Sequence, residues 1–284
     1  KPLLVFSDKN GICIYPNRDI MNFTYSFKLS EYFPHIIHLK EPDQAYIEQQ
    51  IVNVIYESFV TSGDQDYLTA RLLAQKGLPR GFYWAAAQTI EKYLKAFLLL
   101  NGQRVAKLNG HSIEKLFNKA VEQDKNLQEL SFIPHASLKI DKEYSDLIRV
   151  FTLDEFIKDI DKHGCADNRY NSFGVEFDTW ILLALDNFLF SLRSQLGVPN
   201  IYNSFKKIDP DLVNTFRDNN PLFCEQDFIH SEIPGKQFKI SYSSSVTALD
   251  FVSSNSNDHR HEYVLKWLNN KMKLPQSIKK KLKN

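Results

Sequence analysis

Between residues 82 and 100 the chain holds no glycine or proline, and Ala86, Ile90, Tyr93, Leu94, Phe97 and Leu98 recur at i, i+3 and i+4. That spacing predicts a helix with one apolar face. Glu91, Lys92 and Lys95 group on the other side, and Glu91 to Lys95 is a favourable i, i+4 pair. Asn101-Gly102 predicts the stop, because glycine tolerates the left-handed conformation that ends helices. The same period extends over residues 61–198. It predicts helices at Asp64 to Gln75 (Ser62 or Asp64 as cap, Gly77 as stop), at 112–121, at Asp141 to His163 and at Ser172 to Leu196. Thr152 and Asp154 are candidate caps for a break within the Asp141–His163 stretch. Four or five such helices joined by short loops predict an up-and-down antiparallel bundle.

The two ends have a different texture. Leu3-Leu-Val-Phe6 and Ile12-Cys-Ile-Tyr15 flank Asn10-Gly11, the pattern of a β-hairpin. Phe23 to Leu29 alternates as a third strand would, and Pro42 to Phe59 has helical spacing. Residues 1–60 are therefore expected to form an α+β accessory region. In residues 199–284, Gln237 to Tyr242 is strand-like, Ser253 to Asp258 reads as a loop, and His259 to Met272 has helical spacing. The segment ends in the basic run Lys279-Lys-Lys-Leu-Lys283. Two arrangements fit this zone: a domain of its own, or a wrap around the bundle whose strand pairs with the N-terminal hairpin. The expected fold is mainly α, a helical bundle at 61–198 with small α+β flanking regions at both termini.

Composition narrows the function classes. The 284 residues carry a formal net charge of +1, so no global charge excess calls for nucleic acid or an anionic membrane, and any basic surface is local. Twenty-one Phe and thirteen Tyr supply a substantial core. Cys13, Cys165 and Cys224 are odd in number and far apart, which argues against a disulfide scaffold and suits a reducing, cytoplasmic setting. No apolar run approaches the length of about 18 residues that marks a membrane span; Asp186 and Asn187 interrupt the best candidate, Trp180 to Leu192. The sequence begins at Lys1 rather than Met, as a piece of a longer chain would. Neither Asp161, His163 and Cys165 nor His259 and His261 show zinc-ligand spacing, so no metal and no cofactor is expected.

The central stretch resembles the HEPN family (higher eukaryotes and prokaryotes nucleotide-binding domain). Phe82 and Gln88 stand upstream of a Glu91-Lys92-x-x-Lys95-Ala96 core, followed after a short loop by His111, Ile113 and Leu116. The resemblance covers about half the chain and implies a helical bundle at 61–198 that dimerises. It also implies that the bundle binds a nucleotide, RNA or a protein partner. Members often neighbour a nucleotidyltransferase-type partner in bacteria, which brings a toxin–antitoxin or defence setting.

Three groups of residues could carry chemistry. Ribonucleases of the family use an Arg, four to six residues, then a His. Here Arg104 and His111 are six residues apart. In that reading His111 deprotonates a 2′-hydroxyl and Arg104 stabilises the phosphorane, leaving a cyclic phosphate without a metal. The competing reading makes Arg104 a loop residue and His111 a helix cap, because Val105 departs from the polar residue that usually follows the Arg. Arg169-Tyr170 resembles the family's non-catalytic branch, with Arg169 on a phosphate and Tyr170 stacked on a base; alternatively the pair makes an interhelical salt bridge and a core-edge tyrosine. Lys92 and Lys95 could reach a phosphate, or simply form a solvated, paired face. The binding module is the expected function, and a metal-independent endoribonuclease using Arg104 and His111 is the alternative.

Overall fold

The computed structural model describes residues 6–8, 11–13, 29–106, 112–129, 152–166, 168, 175, 177, 179–196 and 258–271. The described residues are almost entirely helical, and their helices are α1 (Leu29–Tyr32), α2 (Glu41–Ile55), α3 (Ser62–Gln75), α4 (Pro79–Leu100), α5 (Ile113–Gln123), α6 (Leu153–Gly164), α7 (Thr179–Gln195) and α8 (His261–Lys271). Short 3₁₀ turns lie at Pro34–Ile36 and Lys125–Glu129.

Helix α4 is the axis of the bundle. It packs against α2, α3, α5, α6 and α7, and of its residues only Arg80 and Trp84 are exposed. The expected helix is present, but it is buried nearly all round rather than on one face. The i, i+3, i+4 pattern reports where apolar residues lie on a helix and not what covers its remaining side. Glycines end α3 and α4 as expected. Gly77 (φ 65°) and Gly102 (φ 67°) adopt the left-handed conformation. Leu78 N–H then donates to the Leu73 carbonyl at 2.9 Å, and Gln103 N–H to the Leu98 carbonyl at 2.8 Å.

The predicted break before Asp64 does not exist. Helix α2 continues through a π-helical segment, Tyr56–Thr61, directly into α3, so the expected boundary at residues 60–61 falls inside a continuous helical run. Neither Ser62 nor Asp64 caps anything. Ser62 Oγ donates back to the Ser58 carbonyl at 2.8 Å, and Asp64 is spent on core partners described below. Thr152 does cap α6, in a reciprocal capping box with Glu155. The last predicted helix starts later than expected, at Thr179, because Val175 and Phe177 are not helical. Phe177 instead sets its ring edge-on to Phe82, centroids 5.0 Å apart.

The small α+β regions expected at both termini are overturned by this near-complete helicity. In the N-terminal flank, Leu29 opens a helical turn, its N–H held by Glu48 Oε2 at 3.0 Å. Leu29, Phe33 and Ile36 are buried with α2 residues Ile47 and Ile51. In the C-terminal flank, Val264, Trp267 and Leu268 of α8 are buried at helical spacing, and α8 packs on α2. Extended geometry among the described residues is limited to two three-residue segments, Phe6–Asp8 and Gly11–Cys13, which pair antiparallel. A lone two-stranded pair of that length has no independent stability and does not make a β region. The strand expected at Gln237 to Tyr242, the third strand at Phe23 to Leu29 up to residue 28, and the basic tail Lys279 to Lys283 lie outside the described residues.

Helices α4 and α6 approach closely at Gly164. A Cβ there would overlap the Tyr83 carbonyl oxygen and the Ala87 side chain. Because one obstacle is backbone, Gly164→Ala is expected to cost about 1–3 kcal/mol in urea denaturation. A loss no larger than the roughly 0.5 kcal/mol typical of surface changes would show that the two helices are not in contact there.

Candidate functional site

Four of the bundle's cations are spent on internal carboxylates. Arg71 on α3 pairs with Asp186 on α7, and Tyr67 donates a hydrogen bond to the same carboxylate. Seven residues away on each helix, about two turns, Arg193 on α7 pairs with Asp64 on α3, and the Tyr93 hydroxyl from α4 bonds both. Asp64, Arg71 and Asp186 have no accessible surface, and Arg193 is 6% exposed. Burial pushes the Asp186 carboxyl up, while Arg71 and Tyr67 pull it down. It also raises the Tyr67 hydroxyl well above its ordinary range, with the Asp186 charge adding to the rise. Tyr56, in the π segment, ties the same region to the end of α7 through a 3.1 Å bond to the Leu196 carbonyl. Sequence reasoning missed this double network. Its one visible trace was Asp186, an acid interrupting an otherwise apolar helix.

Lys92 and Lys95 are half-buried and already partnered. Lys92 reaches across to Asp66 on α3 and to the Ser62 carbonyl at 3.4 Å. Burial keeps the Asp66 carboxyl above its ordinary range even against the pull of Lys92. Lys95 holds Glu91, which is 5% exposed. The pairing expected between Glu91 and Lys95 is there, in a largely buried setting rather than on a solvated face.

Arg104 stands apart. It lies in the loop that leaves α4 and is exposed, with no ion pair among the described residues. Segments from both ends of the chain hold this loop. Tyr32 of α1 packs on Gly102, where a Cβ would collide with its ring. From α8, the Lys271 carbonyl accepts Val105 N–H at 2.9 Å and Ala106 N–H at 3.1 Å, and Lys271 Nζ donates to the Gly102 carbonyl. Val105 is buried. Arg104 is therefore displayed on a backbone pinned on both sides.

Helix α5 begins a few residues further on. Its N-cap is Ser112, whose Oγ accepts from Lys115 N–H at 3.4 Å. Asp161 of α6 completes the cap, accepting Ile113 N–H at 2.9 Å and the Ser112 hydroxyl at 2.9 Å. The capping task that the sequence offered to His111 is thus done by other residues. His111, Arg169 and Tyr170 lie outside the described residues. Asp161, His163 and Cys165 do not converge: Asp161 caps α5, His163 stands 3.4 Å from Asp159 beside the Tyr83 ring, and the Cys165 thiol donates to the Lys162 carbonyl. No helix among the described residues is long and apolar enough to cross a membrane.

Comparison with known families finds a HEPN domain over residues 56–153. It starts at the π segment and takes in Lys92, Lys95, Arg104 and His111, while Arg169, Tyr170 and α8 lie beyond it. No curated protein and no solved structure matches the chain.

The buried pairs make a clear stability forecast. Arg71→Met strands the Asp186 carboxylate and is expected to cost about 3–5 kcal/mol. The stranded carboxyl has a folded-state pKa raised above its unfolded value. Its penalty is therefore full above the folded pKa and fades as pH falls through it, so the variant regains stability on acidification. Arg71→Met with Asp186→Leu should cost less than Arg71→Met alone. Denaturation midpoints across pH check this, and a pH-independent loss would contradict it.

Proposed function

We propose that the HEPN domain at residues 56–153 is a binding module for a phosphate-bearing ligand, a nucleotide or RNA, contacted at the Gly102–Ala106 edge with Arg104 as the contact residue. The observation that carries this reading is the contrast between Arg104 and four other cations of the bundle. Arg71 and Arg193 are locked in the core, and Lys92 and Lys95 are held by Asp66 and Glu91, whereas Arg104 is exposed on a pinned loop. An exposed guanidinium offers two parallel donors to a phosphate and keeps its charge at any working pH. The lysines would have to break existing pairs before they could bind. Arg169 and Tyr170 remain part of the proposal as a phosphate contact and a stacking platform, on the family resemblance alone. So do a homodimer, a nucleotidyltransferase-type protein partner and a toxin–antitoxin or defence setting.

A second reading is favoured by the capping geometry. Ser112 and Asp161 already satisfy the start of α5, so capping gives no reason for a histidine at position 111. A metal-independent endoribonuclease gives one. His111 would take the proton from a ribose 2′-hydroxyl, the 2′-oxygen would attack the adjacent phosphorus, and Arg104 would hold the phosphorane's charge. The 5′-oxygen would leave, giving a 2′,3′-cyclic phosphate and a 5′-hydroxyl. This chemistry needs Arg104 and His111 from two copies around one cleft.

Fluorescence anisotropy with labelled single-stranded RNA and with ATP tests the binding reading. Arg104→Ala should weaken binding about five- to tenfold and lower the salt slope by about 0.7, the value of one phosphate contact on a single strand. Lys92→Ala and Lys95→Ala should leave the slope unchanged. Equal losses for all three would remove the special place of Arg104. For the nuclease, incubation of the same RNA should yield cyclic-phosphate ends that disappear in His111→Ala. Intact RNA with the unaltered protein rules that reading out.

A further inference from the structure

Helix α8 lies outside the matched domain, yet its last residue sits at the same edge as Arg104. Lys271 is half-buried and directs its ammonium to the Gly102 carbonyl, while its own carbonyl holds Val105 and Ala106 N–H. Arg104 projects from the backbone between those contacts. Two cations are thus brought to one short loop, and no acidic side chain among the described residues pairs with either.

Several described cations of the central bundle meet a carboxylate: Arg71 with Asp186, Arg193 with Asp64, Lys92 with Asp66, Lys95 with Glu91 and Lys158 with Asp154. Where α8 meets α2, Arg260 is likewise paired, with Asp258 and Asp43. The Arg104–Lys271 edge instead sets two cations side by side on one loop, with no acid from the described residues between them. Among the described residues, carbonyls hold this edge, those of Gly102 and of the α8 terminus, and a helix C-terminus favours a lysine there without neutralising it. Like charges so placed repel until an anion bridges them. Consistent with this, burial lowers the Lys271 ammonium below its ordinary range and the Arg104 charge lowers it further.

We infer that Lys271 of α8 and Arg104 of the α4–α5 loop form a two-cation clamp for one phosphate group, so that a residue from outside the HEPN domain completes its ligand edge. The inference deepens the binding reading above and rests on Arg104 being the contact. In the clamp, Arg104 supplies a planar fork of donors and Lys271 a point charge. The source of the phosphate, an RNA backbone or a free phosphate compound, is resolved by two arms of one experiment.

The first arm titrates labelled single-stranded RNA against the full chain and its variants over a range of salt. Lys271→Met leaves the backbone carbonyl that holds Val105 and Ala106 in place. It is expected to weaken binding about fivefold and to lower the salt slope by about 0.7. Lys271→Arg keeps the charge and should retain both affinity and slope, which a purely structural role for the ammonium would not require. The second arm measures the melting temperature with inorganic pyrophosphate, which should stabilise the unaltered protein and Lys271→Arg but not Lys271→Met. If Lys271→Met binds RNA and pyrophosphate like the unaltered protein while Arg104→Ala is impaired, the clamp is overturned and the Arg104 reading stands. Pyrophosphate stabilisation that depends on Lys271, without RNA binding, supports the clamp and removes RNA as its ligand. An unaltered protein that responds to neither probe overturns both.

Discussion

The bundle depends on charge buried as matched pairs. Two arginine–aspartate pairs cross between α3 and α7, and tyrosines from α3 and α4 bond to their carboxylates. Opposite charges without access to water hold only if geometry and extra hydrogen bonds offset their lost hydration. Here Tyr67 and Tyr93 supply those bonds. A helix sliding or rotating by one residue would strand a carboxylate, so the pairs fix which faces of α3, α4 and α7 meet. Apolar packing alone would tolerate several registers.

That internal pairing determines what is left for function. A chain with a net charge of +1 has no diffuse positive field with which to gather anions. An anion site in such a chain has to be a local cluster of cations without acids, which is the arrangement of Arg104 and Lys271 at the Gly102–Ala106 edge. The two flanks, which lie largely outside the matched domain, are what shape it. Tyr32 backs Gly102 from the N-terminal side and Lys271 holds the loop from the C-terminal side. Arg260 stacks on Tyr46 with its carbon 3.6 Å from the ring centroid and pairs with Asp43, which keeps α8 seated on α2. The described parts of both flanks thus frame this loop.

Local rules carried the sequence reading a long way. Glycine stops at Gly77 and Gly102, the Thr152 cap, and the helical spacing of α4, α5 and α8 all depend on neighbours within a turn, and each is present. Failures occurred where a distant partner overrode the local choice. Asp64 has the position of a cap but serves Arg193, 129 residues away. Glu91 and Lys95 have the spacing of a surface pair but lie on the helix that every neighbour covers. The alternation in residues 1–60 suggested a sheet, yet its described apolar residues from Leu29 onward pack as helical turns on α2. Of the candidate site, Arg104 was legible through the family resemblance. Lys271 was not, because nothing in its own neighbourhood says that α8 returns to the α4–α5 loop.

On this account an anion is met by Arg104 and Lys271 at the α4–α5 loop, while Lys92 and Lys95 of α4 stay with Asp66 and Glu91. Amide chemical-shift mapping by NMR, with short single-stranded RNA or pyrophosphate added to isotopically labelled protein, tests this most directly. Perturbations clustered on Gly102 to Ala106 and on Lys271, with Lys92 and Lys95 silent, are the expected result. Perturbations centred on Lys92 and Lys95, with the loop unmoved, would contradict it.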